Sequence, residues 1–104
     1  MLFSTTDTIP GRTIKRHVGL AQGNVVRSKH VGRDIAARLK NIVGGELRGY
    51  TELIDEARRD ALRRMSADAR SQGANAVVGV RMTTSTVTVG ASELYAYGTA
   101  VVVE

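Results

Sequence analysis

The sequence predicts a single α+β domain in which one long helix returns directly onto a β-sheet. Three observations lead there. The clearest helical periodicity runs from Gly49 or Tyr50 to about Gln72. It stops at Gly73, the residue type best suited to the left-handed backbone that closes a helix. Alternation of apolar with small or polar residues starts three residues later, at Ala76. At 104 residues the chain, 1–104, has room for one domain. A chain of this size buries about two thirds of the surface its unfolded form exposes, so its core is modest and association would add to it.

Residues 2 to 6, Leu-Phe-Ser-Thr-Thr, have β-type composition and precede a Pro10-Gly11 turn signal, which predicts a short edge strand. From Arg12 to Val26 the even positions Ile14, Val18 and Leu20 fall on one face of a strand and Thr13, Lys15 and His17 on the other. Gly19 and Gly23 within it mark a bulge or a close backbone approach. Between Lys29 and Val43, Val31, Ile35, Leu39, Ile42 and Val43 recur at helical spacing behind Ser28, predicting a short amphipathic helix that Gly44-Gly45 ends. The long helix follows. Its apolar stripe is Leu53, Ile54, Ala57, Ala61, Leu62, Met65 and Ala69 with Tyr50 on the same side, and Asp55 with Arg59 and Asp60 with Arg64 stand four residues apart on the outer face.

After Gly73, positions Ala76, Val78, Val80 and Met82 alternate with Val77, Gly79, Arg81 and Thr83 in a strand that reaches Thr88. Gly90-Ala91-Ser92 then turns the chain into a last strand from Glu93 to Val103. One face of that strand is Leu94, Ala96, Gly98, Ala100 and Val102, small enough for a helix to pack closely. The other carries Tyr95, Tyr97, Thr99, Val101 and Val103. A single layer of helix covers one face only, so Tyr95, Tyr97, Val101 and Val103 are the residues expected to meet another subunit.

Charge and composition exclude more than they assign. There is no cysteine, hence no disulfide framework and no thiolate metal site. No basic start with an apolar run and no stretch of about 18 apolar residues appears, which predicts a soluble cytoplasmic protein without membrane partners. The net charge of +5 is regional: residues 12–48 hold nine Lys or Arg against Asp34 and Glu46. Lys15, Arg16, Arg27, Lys29, Arg33, Arg38 and Lys40 make up the candidate basic face for phosphate or nucleic acid. A solvated, solubilising face is the favoured reading, because no aromatic stacking platform stands among these charges.

The residues Phe3-Ser4-Thr5-Thr6, Arg33-Asp34, Ile42-Val43-Gly44-Gly45, Tyr50, Ala57-Arg58, Gly73-Ala74-Asn75-Ala76-Val77-Val78-Gly79-Val80 and Tyr97-Gly98-Thr99-Ala100-Val101, in this order and spacing, resemble the YbjQ-like family of putative heavy-metal-binding proteins over essentially the whole chain. The resemblance implies a β-α-β-β core like that of dodecin subunits, with an inserted helix, assembled as a ring-shaped homopentamer. It implies no known reaction and carries no metal motif residue by residue.

His17 and His30 are the only imidazoles, and their spacing does not set them on one helical face. No cofactor is identified. A metal ion held by copies of one histidine around a ring axis is the open alternative to surface or packing roles for these residues. Met65 and Met82 read as core. Gly44-Gly45 before a helix offers free amides to an anion, but it is neither a P-loop nor a dinucleotide fingerprint and reads as a connection. No His and carboxylate pairing for nucleophilic catalysis is present, so an enzyme would need a site assembled between subunits. The sequence favours a non-enzymatic binding or structural assembly with its ligand, a metal ion or small molecule, at subunit junctions.

Overall fold

The computed structural model describes residues 1–27, 48–88 and 91–104. They form strand β1 (Leu2–Phe3), strand β2 (Ile14–Arg27), helix α1 (Arg48–Ser71), strand β3 (Ala76–Thr88) and strand β4 (Ala91–Val103). The strands make one mixed sheet in the order β1-β3-β4-β2, with β4 antiparallel to both long neighbours and β1 parallel to β3. The α+β class and the helix on a sheet are as expected. The short helix expected between Lys29 and Val43, Ser28, Gly44-Gly45 and the side chain of Tyr50 lie outside the described residues. No helix among the described residues is long and apolar enough to cross a membrane.

Helix α1 lies chiefly over β2 and β4. Its stripe behaves as the spacing predicts: Ala57, Ala61, Met65 and Ala69 are buried, while Leu53, Ile54 and Leu62 are half-buried. Beneath it the sheet presents Ala21 and Val25 of β2, Val77 and Val80 of β3, and Ala96 and Ala100 of β4. Half of these are alanines and half valines, and Gly23 lies so close that a Cβ there would stand 2.3 Å from the backbone nitrogen of Met65 and 2.4 Å from Ala61 O. The close approach expected at Gly23 is therefore real, and it sets helix backbone directly on strand backbone. Met65 fills the remaining depth; burying a side chain of that size contributes about 1.5–3 kcal/mol.

The helix ends as its sequence indicates. Gly73 has φ of 89°, its N–H donates to Arg70 O, and the N–H of Ala74 donates to Ala69 O, the paired bonds of a Schellman cap. Asn75 then ties the turn to β4: its side-chain amide donates to Val103 O at 2.8 Å and accepts from the N–H of Val103 at 2.7 Å. Pro10 and Gly11 form the expected turn, with Gly11 at φ 78° and the N–H of Arg12 donating to Ile9 O.

Several local expectations are corrected. Register shifts between Ile14 and Arg16 and between His17 and Gly19 break the simple alternation of β2. Ile14, Val18 and Leu20 consequently do not share a face: Val18 packs under the helix, Ile14 joins a second cluster on the opposite side, and Leu20 is 56% exposed. In β3 a shift between Val78 and Arg81, with Gly79 at φ 62°, puts Val77 and Val80 together under the helix and Ala76 with Val78 on the other face. Met82 is 37% exposed rather than core. Strand β4 begins at Ala91, before the expected Glu93, because Ala91 already pairs with Thr88. On the helix, Asp55 pairs with Arg58 at 3.4 Å rather than with Arg59, and Asp60 meets Arg63.

Candidate functional site: the uncovered sheet face

The face of the sheet turned away from α1 has two halves. At one end Ile9, Ala76, Val78, Val101 and Val103, with Ile14 beside them, form the second apolar cluster. Here the chain covers itself, because the turn at Pro10-Gly11 brings Ile9 over the ends of β3 and β4. Val101 is fully buried and Val103 nearly so within one subunit. Both are thus taken up by this inner cluster.

At the other end no described segment lies over the sheet. Alternation from the buried residues Ala21, Val25 and Ala96 places Leu20, Gln22, Asn24 and Val26 of β2, with Tyr95 and Tyr97 of β4, on this half. The two tyrosines stack with ring centroids 5.2 Å apart and 26° between planes. Their neighbours hold them in place: Tyr95 Oη donates to Gln22 Oε1 at 2.6 Å, and Asn24 Nδ2 donates to Glu93 Oε2 at 3.0 Å. Leu20 and Val26 flank this polar band and are each more than half exposed. Arg81, opposite Tyr97 on β3, donates to Thr5 O and Val80 O, which turns its charge toward the amino-terminal segment. The result is a patch of aromatic and aliphatic surface with satisfied polar groups between, the composition of a contact surface.

The other expected residues are placed less suggestively. His17 is exposed on β2, and His30 lies outside the described residues. Lys15 is paired with Glu104 at 3.3 Å, and Arg16 is exposed. The side chain of Arg27, and Lys29, Arg33, Arg38 and Lys40, lie outside the described residues. Sequence reading missed Gln22 and Asn24, which the strand register puts beside the tyrosines. It also missed the polar row Arg64, Asp68 and Gln72, whose four-residue spacing along one side of the apolar stripe was the available signal.

Comparison with known proteins identifies the lineage. The model of the YbjQ family, described as "Putative heavy-metal-binding", matches residues 1–104. The chain belongs to the YbjQ family. It is 64% identical over 104 residues to a UPF0145 protein of Hahella chejuensis, covering 100% of both chains. It is 59% identical to one of Vibrio campbellii over 97% of each, and 52% identical to one of Dehalococcoides mccartyi over 100% of each. Among solved structures, a protein of unknown function of the DUF74 family from Pediococcus pentosaceus matches with a TM-score of 0.60 at 18% identity, covering 100% of this chain and 98% of that one. That likeness concerns the fold.

The metal in the YbjQ description can be tested against the donors in this chain. Soft heavy metals are held by thiolates, with imidazole and thioether as weaker alternatives. This chain has no cysteine, Met65 is sealed in the core while Met1 and Met82 are exposed, and His17 is exposed on β2. Among the described residues no group of three His, Cys, Asp or Glu is placed to hold an ion. The described donor set of one subunit does not fit a heavy-metal site.

Proposed function

We propose that this YbjQ protein is a non-enzymatic, homo-oligomeric binding or structural protein, assembled as a ring of five, in which the uncovered half of the sheet face meets the neighbouring subunit and ligands are held at the junctions. The observation that carries the reading is the Tyr95–Tyr97 pair flanked by the exposed Leu20 and Val26. Such apolar surface, on a chain whose own core is modest, favours burial against a second copy. The ring of five comes from the family resemblance. A metal ion enters this reading as a ligand shared between copies, for example by His17 around the axis.

Light scattering on size-separated protein near micromolar concentration tests the assembly, and a monomer contradicts it. Tyr97→Asp is expected to lower the mass below that of the ring while the subunit keeps its helix and sheet, since an unpaired charge in an apolar contact is costly. Calorimetric titration with zinc, copper and nickel addresses the ligand: heat of binding that His17→Ala removes supports a shared imidazole site. Binding unchanged by that substitution removes His17 from it.

A further inference from the structure

The two outer edges of the sheet are treated differently by the fold. Along β2 the helix closes the edge: Arg64 Nη1 donates to Asn24 O at 2.6 Å, the N–H of Gln22 donates to Asp68 Oδ2 at 2.9 Å, and Gln72 Nε2 donates to Leu20 O at 2.9 Å. Residues four apart stand in a row along a helix, and alternate strand residues turn both backbone groups to the same side, so one row meets the other. A strand adding at this edge would have to displace all three bonds.

Along β3 the first part of the edge is held by the chain's own amino terminus. The N–H of Ser4 donates to Val77 O, that of Val80 to Ser4 O, and that of Gly79 to Thr6 O. Beyond Arg81 no described segment runs beside the strand. The direction of its backbone groups follows from the register. Leu20, Gln22 and Asn24 turn away from β4, so their partners Thr99, Tyr97 and Tyr95 turn toward β3, where Arg81 and Thr83 face Tyr97 and Tyr95. Alternation then leaves the N–H and C=O of Met82, Thr84 and Thr86 pointing outward. The stretch Met82–Thr88 is exposed throughout and contains no charge, proline or glycine, although charge and proline are what usually blunt an edge.

We propose that the outer edge of β3 over Met82–Thr88 is a self-association site, which takes the same stretch of a second copy of this chain, antiparallel, about a two-fold axis. The second copy's β2 edge is shut by its own Arg64, Asp68 and Gln72, so among the described residues its matching β3 edge is the one open to pairing. An uncharged strand meets itself without like charges opposed, and the Thr and Ser residues fall opposite one another as favourable cross-strand pairs. A two-fold contact of this kind closes on itself. It lies on a different surface from Tyr95 and Tyr97, so it joins rings in pairs and does not depend on the ring reading.

Native mass spectrometry of the full chain and three variants tests it, with circular dichroism and slow exchange of the Ala21 and Val25 amides confirming the subunit fold. Thr84→Pro removes one outward N–H and leaves the ladder to β4 intact, and Thr84→Lys sets like charges against each other across the axis. The wild type is expected as an even number of chains, and each Thr84 variant at half that mass. An odd count for the wild type, or folded Thr84 variants at the wild-type mass, overturns the edge contact while leaving the ring reading standing. Tyr97→Asp acts on the other surface and is expected to leave pairs; if it leaves the mass unchanged, the ring reading fails and the edge contact is untouched.

Discussion

Strand β4 is the middle of the sheet, and its two faces are built from different residues for different neighbours. Toward the helix it shows Leu94, Ala96, Gly98 and Ala100, and away from it Tyr95, Tyr97, Thr99, Val101 and Val103. The first face is small because a whole helix backbone must come down on it, and its partner across β2 is Gly23, pressed against Ala61 and Met65. The second face is large, and among the described residues only the part beneath Ile9 has cover from its own chain. The difference teaches where this domain spends its side-chain volume: little between helix and sheet, and much on the face that the described residues leave partly open.

Equal chemical changes on the two faces should therefore have unequal costs. The largest effect is expected for Met65→Ala, which empties the largest fully buried position beneath the helix and is predicted to destabilise by about 2–5 kcal/mol in urea unfolding. Gly23→Ala follows at about 1–3 kcal/mol, because the added methyl meets helix backbone rather than a movable side chain. Asn75→Ala comes next, at about 1–3 kcal/mol, since it leaves the amide and carbonyl of Val103 without their side-chain partner. On the open face, Tyr95→Phe removes the bond to Gln22 and costs about 0.5–1.5 kcal/mol at most. A Gly23→Ala protein as stable as wild type, or a Tyr95→Phe protein that unfolds, would erase the distinction between the faces.

Much of this arrangement was legible in the chain. The end of the helix at Gly73 was, because a left-handed cap needs a particular residue type at a particular place. The two faces of β4 were, because a regular strand alternates without help from its neighbours. What was not legible depended on pairing. The bulges in β2, and the one at Gly79 that sets Val77 and Val80 side by side, exist only relative to β4, so simple alternation misassigned Ile14, Val18 and Leu20. The cover over Val101 and Val103 comes from Ile9, some 90 residues away in sequence, and no local pattern announces it. Arg64, with Asp60 four residues before it, read as an ordinary surface cation, whereas its guanidinium reaches across to Asn24 O on the sheet edge. Of the candidate site, the tyrosines were visible, while their amide neighbours Gln22 and Asn24 required the register.

The central claim is that the outer edge of β3, which the helix leaves open, is covered by a second copy of the chain. Hydrogen exchange read at residue level, on wild-type protein at high concentration and after dilution, tests it most directly. The outward amides of Met82, Thr84 and Thr86 are predicted to exchange slowly in the concentrated sample and quickly in the dilute one, while those of Ala21, Val25 and Ala61 stay slow in both. Fast exchange at Met82, Thr84 and Thr86 at every concentration would contradict it.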